Sequence, residues 1–171
     1  MSTSRSVGYE SELRRAMTST IDLTPQAPIL ARQSVVITAS VERVWQLFTD
    51  IDRWPDWNPD IQRAELSGLL TPNAVFHWEF GERSLSSRIH EVIPLRKLAW
   101  SGQAGVGWTV HVWTFAPISD GVSVQAEILW DGPLLRREAS ELRRALDSEL
   151  ARWLALLKGD VERTIDLRHA G

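Results

Sequence analysis

The chain has no cysteine among its 171 residues, which removes disulfides, thiolate metal ligands and a cysteine nucleophile at once. No stretch approaches the roughly 20 consecutive apolar residues of a membrane span. No excess of basic charge is present either: the net charge is −3, against the basic stripe expected of a nucleic-acid partner. The opening "MSTSRSVGYESELRR" lacks the apolar core of a signal peptide, so the expected location is cytoplasmic. No Gly-rich phosphate loop precedes a helix, because "GQAGVG" falls between two strand-like segments. Neither His77-x-Glu79 nor His111 makes a metal constellation at a recognisable spacing. No metal and no cofactor is expected.

What is present in quantity is tryptophan, nine residues against four phenylalanines and one tyrosine. Each buried indole withdraws about 150–250 Å² from water. At about 25 cal/mol per Å² this is on the order of 4–6 kcal/mol apiece, as an upper bound. Such aromatic mass either fills a core or lines a cavity, and composition leaves both readings open.

The pattern along the chain divides it into three parts. Residues 1–28 are polar and rich in Ser and Thr, with a short helical candidate around Tyr9 to Met17. Pro25 and Pro28 break any helix there, and this segment reads as a partly ordered arm. A domain over 29–163 and a tail over 164–171 follow. The β-branched run Val35 to Thr38 marks a strand. Val41, Val44, Trp45, Phe48 and Ile51 then recur at helical spacing behind a Ser40 cap.

Beyond "DIDRWPDWNP" come six short strand candidates, namely 61–66, 75–80, 85–93, 98–103, 109–115 and 122–130. The residues between them are those that tight turns require. Connections this short favour an antiparallel meander. From Pro133 onward Leu135, Ala139, Leu142, Leu146, Leu150, Trp153, Leu157 and Val161 form one apolar stripe, with Glu149 and several arginines off it. A long amphipathic helix over one antiparallel sheet is a two-layer α+β domain.

Three stretches in this order resemble the START-like (SRPBCC) helix-grip superfamily, and within it the polyketide cyclase/dehydrase and lipid-transport group. They are "ITASVERVWQLFTDIDRWPDWNPDI", "SRIHEVIPLRKLAWSG" and "HVWTFAPISDGVSVQAEILWDGPL". The resemblance covers roughly Leu30 to Glu162. It implies a seven-stranded antiparallel sheet wrapped around a long C-terminal helix, with two short helices after the first strand. Trp54 would plug the gap between helix and sheet, while Trp57 would stand near the mouth of a cavity.

Strand alternation puts Phe76, Trp78 and Phe80 on one face and His77 and Glu79 on the other. Val122, Val124, Ala126, Ile128 and Trp130 make a second apolar row, leaving Gln125 and Glu127 outside. The strand 109–115 is apolar on both faces. Either His111 enters the cavity with Trp113 and Phe115, or it is an ordinary hydrogen-bonded histidine on an exposed face, the commoner of the two. The register slips near Glu91, which leaves the face of His90 open. Arg88 is an anchor for a ligand carbonyl or carboxylate, or a solvated surface arginine.

The resemblance implies three functions. In the first, a hydrophobic small molecule, lipid or polyketide-like, is held by a carrier or sensor. Its walls are Trp57, Asn58, Trp78, Trp100, Trp113, Trp130, Leu146 and Trp153. In the second, a cyclase, aromatase or dehydratase uses His111 as base and Arg88 as donor. In the third, an interaction domain has its cavity filled by the tryptophans. A homodimer is compatible with all three. The loop around "GQAGVG" would act as a lid.

Overall fold

The computed structural model describes residues 29–104, 107–131 and 139–169. The expected arm, the last two residues of the expected tail and the start of the long helix around Leu135 lie outside these residues, as do positions 105 and 106 of the "GQAGVG" loop.

Strand β1 (Ile29–Ile37) leads to Ser40, whose side chain accepts a hydrogen bond from the Arg43 amide and caps helix α1 (Val41–Thr49). The cap satisfies one of the amides a helix start leaves without a partner. A single 3₁₀ turn (Ile51–Arg53) and the one-turn helix α2 (Trp54–Trp57) follow. Pro55 stands in the first turn of α2, where its missing N–H costs nothing. Asn58 is held extended before Pro59 and turns the chain into β2 (Ile61–Leu66). The meander continues as β3 (Val75–Phe80), β4 (Arg83–Ile93), β5 (Lys97–Ala104), β6 (Gly107–Ile118) and β7 (Gly121–Asp131). Helix α3 (Ala139–His169) closes the element order. The seven strands form one antiparallel sheet in the order β1-β7-β6-β5-β4-β3-β2, the expected helix-grip arrangement.

Gly121 explains how β1 and β7 meet. It has φ +146°, and a Cβ there would stand 2.1 Å from the Ile37 carbonyl oxygen, so only glycine fits this close approach.

Trp54 is the plug. It is completely buried, and its indole N–H donates to the Phe48 carbonyl at 2.8 Å. Its ring meets Phe48, Phe76, Trp78, Trp100 and Trp153 at centroid distances of 5.3–6.0 Å. Such edge and tilted contacts add to the area term. Leu146, Leu150, Trp153, Leu157 and Val161 of the helical stripe are all buried. Trp108 is the exposed tryptophan, at 46%; the other eight lie in the core or pack against it.

The outer face of the sheet departs from expectation. Ala99, Val110 and Val112 form a small buried cluster there with Leu129 beside it. Glu127, expected outside, is only 1% exposed, under an ion pair with Arg32 at 2.5 Å and a hydrogen bond from Gln125. Burial raises the Glu127 carboxyl pKa against the lowering pull of Arg32.

Candidate functional site

A concavity opens at the end of the grip where the β3–β4 hairpin faces α3. Its apolar lining comes from Trp78 and Phe80 of β3, Leu85 of β4, Ile128 and Trp130 of β7 and Leu146 of α3. Gly102 lets the strands close in, since a Cβ there would stand 2.7 Å from Ser87 Oγ. Enclosed free space is about 30 Å³, room for one or two waters. Counting the solvent-open mouth it widens to about 400 Å³.

Arg83, Ser87, Gln103, Thr109, His111 and Glu149 bring polar groups to these walls. Ser87 Oγ accepts from the Trp78 indole at 3.1 Å, and Thr109 Oγ1 donates to the Gly102 carbonyl. The buried indole N–H of Trp130 has no acceptor among the described residues. At the rim the Arg83 guanidinium lies 5.1 Å above the Phe80 ring and 4.0 Å from the Glu149 carboxylate.

His111 answers the question of which way its strand faces. It pairs with Trp100 on one side and Ile128 on the other, both inward residues. Its ring lies flat on Trp100 at 4.9 Å, only 8% exposed. Burial first, and then the Arg83 charge, hold its pKa down to about 3. The imidazole is therefore neutral at every ordinary pH. Glu149 moves the other way: burial raises its carboxyl pKa, Arg83 opposes this, and Asp60 adds a smaller push upward.

Of the ligand-wall residues expected from sequence, Trp78, Trp130 and Leu146 line this concavity. Trp100, Trp113, Trp153, Trp57 and Asn58 are buried in solid core behind it, where Phe48 and Trp113 approach to 4.4 Å. Trp57 is thus not at the mouth; it packs its edge on Trp153. Of the two readings of Arg88, a ligand anchor and a solvated surface arginine, the structure meets the second. Arg88 pairs with Ser101 on the outer face and is exposed, so the sheet separates it from His111. His90 is the extra residue of the register shift between Ile89 and Glu91 and lies on that same face, 2.6 Å from Ser101 Oγ.

Sequence reading missed Arg83, Ser87, Thr109 and Glu149. A signal existed for Glu149, which stands three residues after Leu146 and four before Trp153, at the border of the apolar stripe. Arg83 lay in a segment read only as a turn.

No curated protein matches the chain. Among solved structures, a START superfamily protein from Mycobacterium smegmatis is similar over 79% of this chain and 98% of its own, with TM-score 0.67 and 15% identity. The di-domain ARO/CYC StfQ from the steffimycin biosynthetic pathway is similar over 94% of this chain and 61% of its own (TM-score 0.69, 16% identity). The Aha1 dimer from Colwellia psychrerythraea is similar over 78% and 96% (TM-score 0.62, 17% identity). These likenesses are of fold. Residues 28–162 match the family described as polyketide cyclase/dehydrase and lipid transport. With that match spanning most of the sequence, and the helix-grip sheet closed around α3, the chain belongs to the polyketide cyclase/dehydrase and lipid transport family.

Proposed function

We propose that the protein binds a small, flat, largely apolar molecule carrying a hydrogen-bond acceptor, as a carrier or sensor, in the concavity beneath Arg83 and Glu149. The observation that carries this reading is the buried Trp130 indole N–H, left without an acceptor among the described residues, on a wall it shares with Ile128 and Leu146. An unmade buried hydrogen bond costs about 1–3 kcal/mol, which a ligand oxygen returns on binding. The neutral His111 ring, Ser87 and Thr109 give the further polar contacts that fix orientation in such sites. A long acyl chain is the poorer fit, because Phe48, Trp54, Trp100, Trp113 and Trp153 occupy the interior it would need.

Paired fluorescent probes test this. Here 2-acetylnaphthalene is expected to bind about tenfold more tightly than 2-ethylnaphthalene, the difference of one hydrogen bond. Trp130→Phe should erase that preference while leaving the weaker affinity unchanged. Equal affinities for both probes in the wild type would overturn the reading.

One observation favours a second reading, turnover of the same ligand. His111 and Glu149 share the walls of one concavity, and their surroundings displace their proton affinities in opposite directions, a recurrent mark of an acid–base pair. The Glu149 carboxylate, made more basic by burial, would take the proton next to a carbonyl and give it to the departing hydroxyl, releasing water, while the neutral His111 ring donates a hydrogen bond to the carbonyl oxygen. Under this reading Glu149→Gln stops the loss of water from a naphthyl β-hydroxyketone but leaves its binding intact.

A further inference from the structure

Two neighbouring ion pairs at the rim of the concavity differ in how far they are made. Arg152 donates to both carboxylate oxygens of Asp60, from Nε to Oδ2 and from Nη2 to Oδ1 at 3.0 Å. The Asp60 carbonyl in turn accepts from the Gly81 amide, beside Arg83 on the same hairpin. Arg83 itself comes no nearer than 4.0 Å to Glu149 Oε2, well beyond the roughly 2.7–2.9 Å of a charge-assisted hydrogen bond. Its Cζ lies 5.1 Å from the centre of the Phe80 ring, a stacking that holds the guanidinium in place and satisfies none of its N–H groups. Among the described residues no acceptor meets those donors at hydrogen-bond distance. The Arg83 and Glu149 side chains are 47% and 24% exposed, so both can be reached from solvent. The Arg83 charge is also felt inside the concavity, where it adds to burial in lowering the His111 pKa.

We propose that the ligand is an aromatic carboxylic acid, its flat body against Trp78, Phe80 and Trp130 and its carboxylate closing the mouth on the unbonded Arg83 fork. The inference rests on the carrier reading of the site, since a Glu149 that takes a proton on binding no longer serves as a base. A guanidinium presents parallel N–H groups at the spacing of carboxylate oxygens, the match that makes arginine recur where planar anions are recognised. Charge balance selects a single negative charge. Arg152 already answers Asp60, which leaves Arg83 and Glu149 as the cation and anion beside the incoming group. The ligand carboxylate takes the place of Glu149 opposite Arg83. Burial raises the Glu149 carboxyl pKa, Arg83 opposes this, and Asp60 adds a smaller push upward. Once the ligand holds Arg83 and sets a like charge nearby, Glu149 takes up a proton. A phosphate monoester carries nearly two charges, would leave one of them facing Asp60, and fits less well.

Calorimetry on the full chain with 6-acetyl-2-naphthoic acid and its methyl ester tests this, since the two share a shape and differ in charge. At about neutral pH the acid is expected to bind about tenfold more tightly than the ester. Arg83→Met, which keeps an apolar stem over Phe80 at a half-exposed position, should bring the two to equal affinity. From about pH 5 to about pH 8 the acid stays ionised, and its affinity for the wild type should fall about tenfold as Glu149 becomes harder to protonate. Glu149→Gln should abolish that fall. His111 adds no slope there, its ring being neutral throughout. Nor does Asp60, whose carboxyl the hydrogen bond from Arg152 holds below its usual range. Equal affinity for acid and ester in the wild type, or a preference that survives Arg83→Met, overturns the proposal. Either result leaves the carrier reading to be decided by 2-acetylnaphthalene against 2-ethylnaphthalene. A slope unchanged in Glu149→Gln overturns the proton assigned to Glu149, and binding of neither probe overturns the proposal together with the carrier reading.

Discussion

Trp54→Ala is expected to lower the unfolding free energy by about 5 kcal/mol, the upper end for a buried aromatic cut back to a methyl. Two terms add. Five aromatic neighbours lose their contact surface, and the Phe48 carbonyl loses the indole N–H that satisfies it. Since a domain of this size has roughly 5–15 kcal/mol to lose, the variant should lie at the margin of folding at 25 °C. Urea denaturation separates the terms. Trp54→Phe keeps most of the volume but not the hydrogen bond, and should cost about 1–3 kcal/mol. Trp57→Ala should cost less than Trp54→Ala, because among aromatic rings Trp57 meets Trp153 and its indole N–H is unbonded. Equal losses at positions 54 and 57 would mean that the hydrogen bond and the central location of Trp54 count for nothing.

The second large effect is a loss of stability in acid that belongs to His111. In the unfolded chain its imidazole takes a proton near pH 6.5; in the fold it does so only near pH 3. Between those values the unfolded state binds more protons, so stability is complete above pH 6.5 and falls as pH drops toward 3. Each pH unit in that window is worth about 1.4 kcal/mol, which makes roughly 3 kcal/mol between pH 6.5 and 4. Glu149 and Glu127 have raised proton affinities and act in the opposite sense, but they titrate in the wild type and in His111→Gln alike. The difference between the two stability-versus-pH curves therefore isolates the histidine. Wild type should fall by roughly 3 kcal/mol more than His111→Gln over that span; parallel curves would show that the imidazole is hydrated or shared with a proton donor.

The residues that made the fold readable are those with one dry face and one wet one. Phe76, Trp78 and Phe80 alternate with His77 and Glu79, and burial follows that alternation. Strand β6 resisted the same reading because both of its faces are dry. Trp113 and Phe115 enter the core while Val110 and Val112 join the outer cluster, so hydropathy could not say where His111 points. The site was less legible than the fold for a related reason. It is assembled from Arg83 at a hairpin end, Ser87 on the inner side of β4 and Glu149 on α3, far apart in sequence and brought together only by the wrap of sheet around helix. Arg88 was one candidate anchor for a ligand carbonyl, yet the period of two faces it away from buried Ile89, on the outer side of the sheet. Tryptophan content pointed to the interior without saying whether it would be hollow, a matter decided by ring contacts such as Phe48 on Trp113.

The pairing of β1 with β7 has a consequence for how the chain is made. Ile29 must wait for Trp130, and Ile37 for Val122, before β1 gains β7, its partner among the described strands. A ribosome therefore releases β1 and α1 long before the strand that holds them, and the β2–β6 meander can zip locally in the meantime. Closure of the grip is the late, non-local event, and contacts of this kind slow folding and prolong exposure of strand edges. The protein is consequently most exposed to misassociation during synthesis, while the apolar face of α1 awaits its cover.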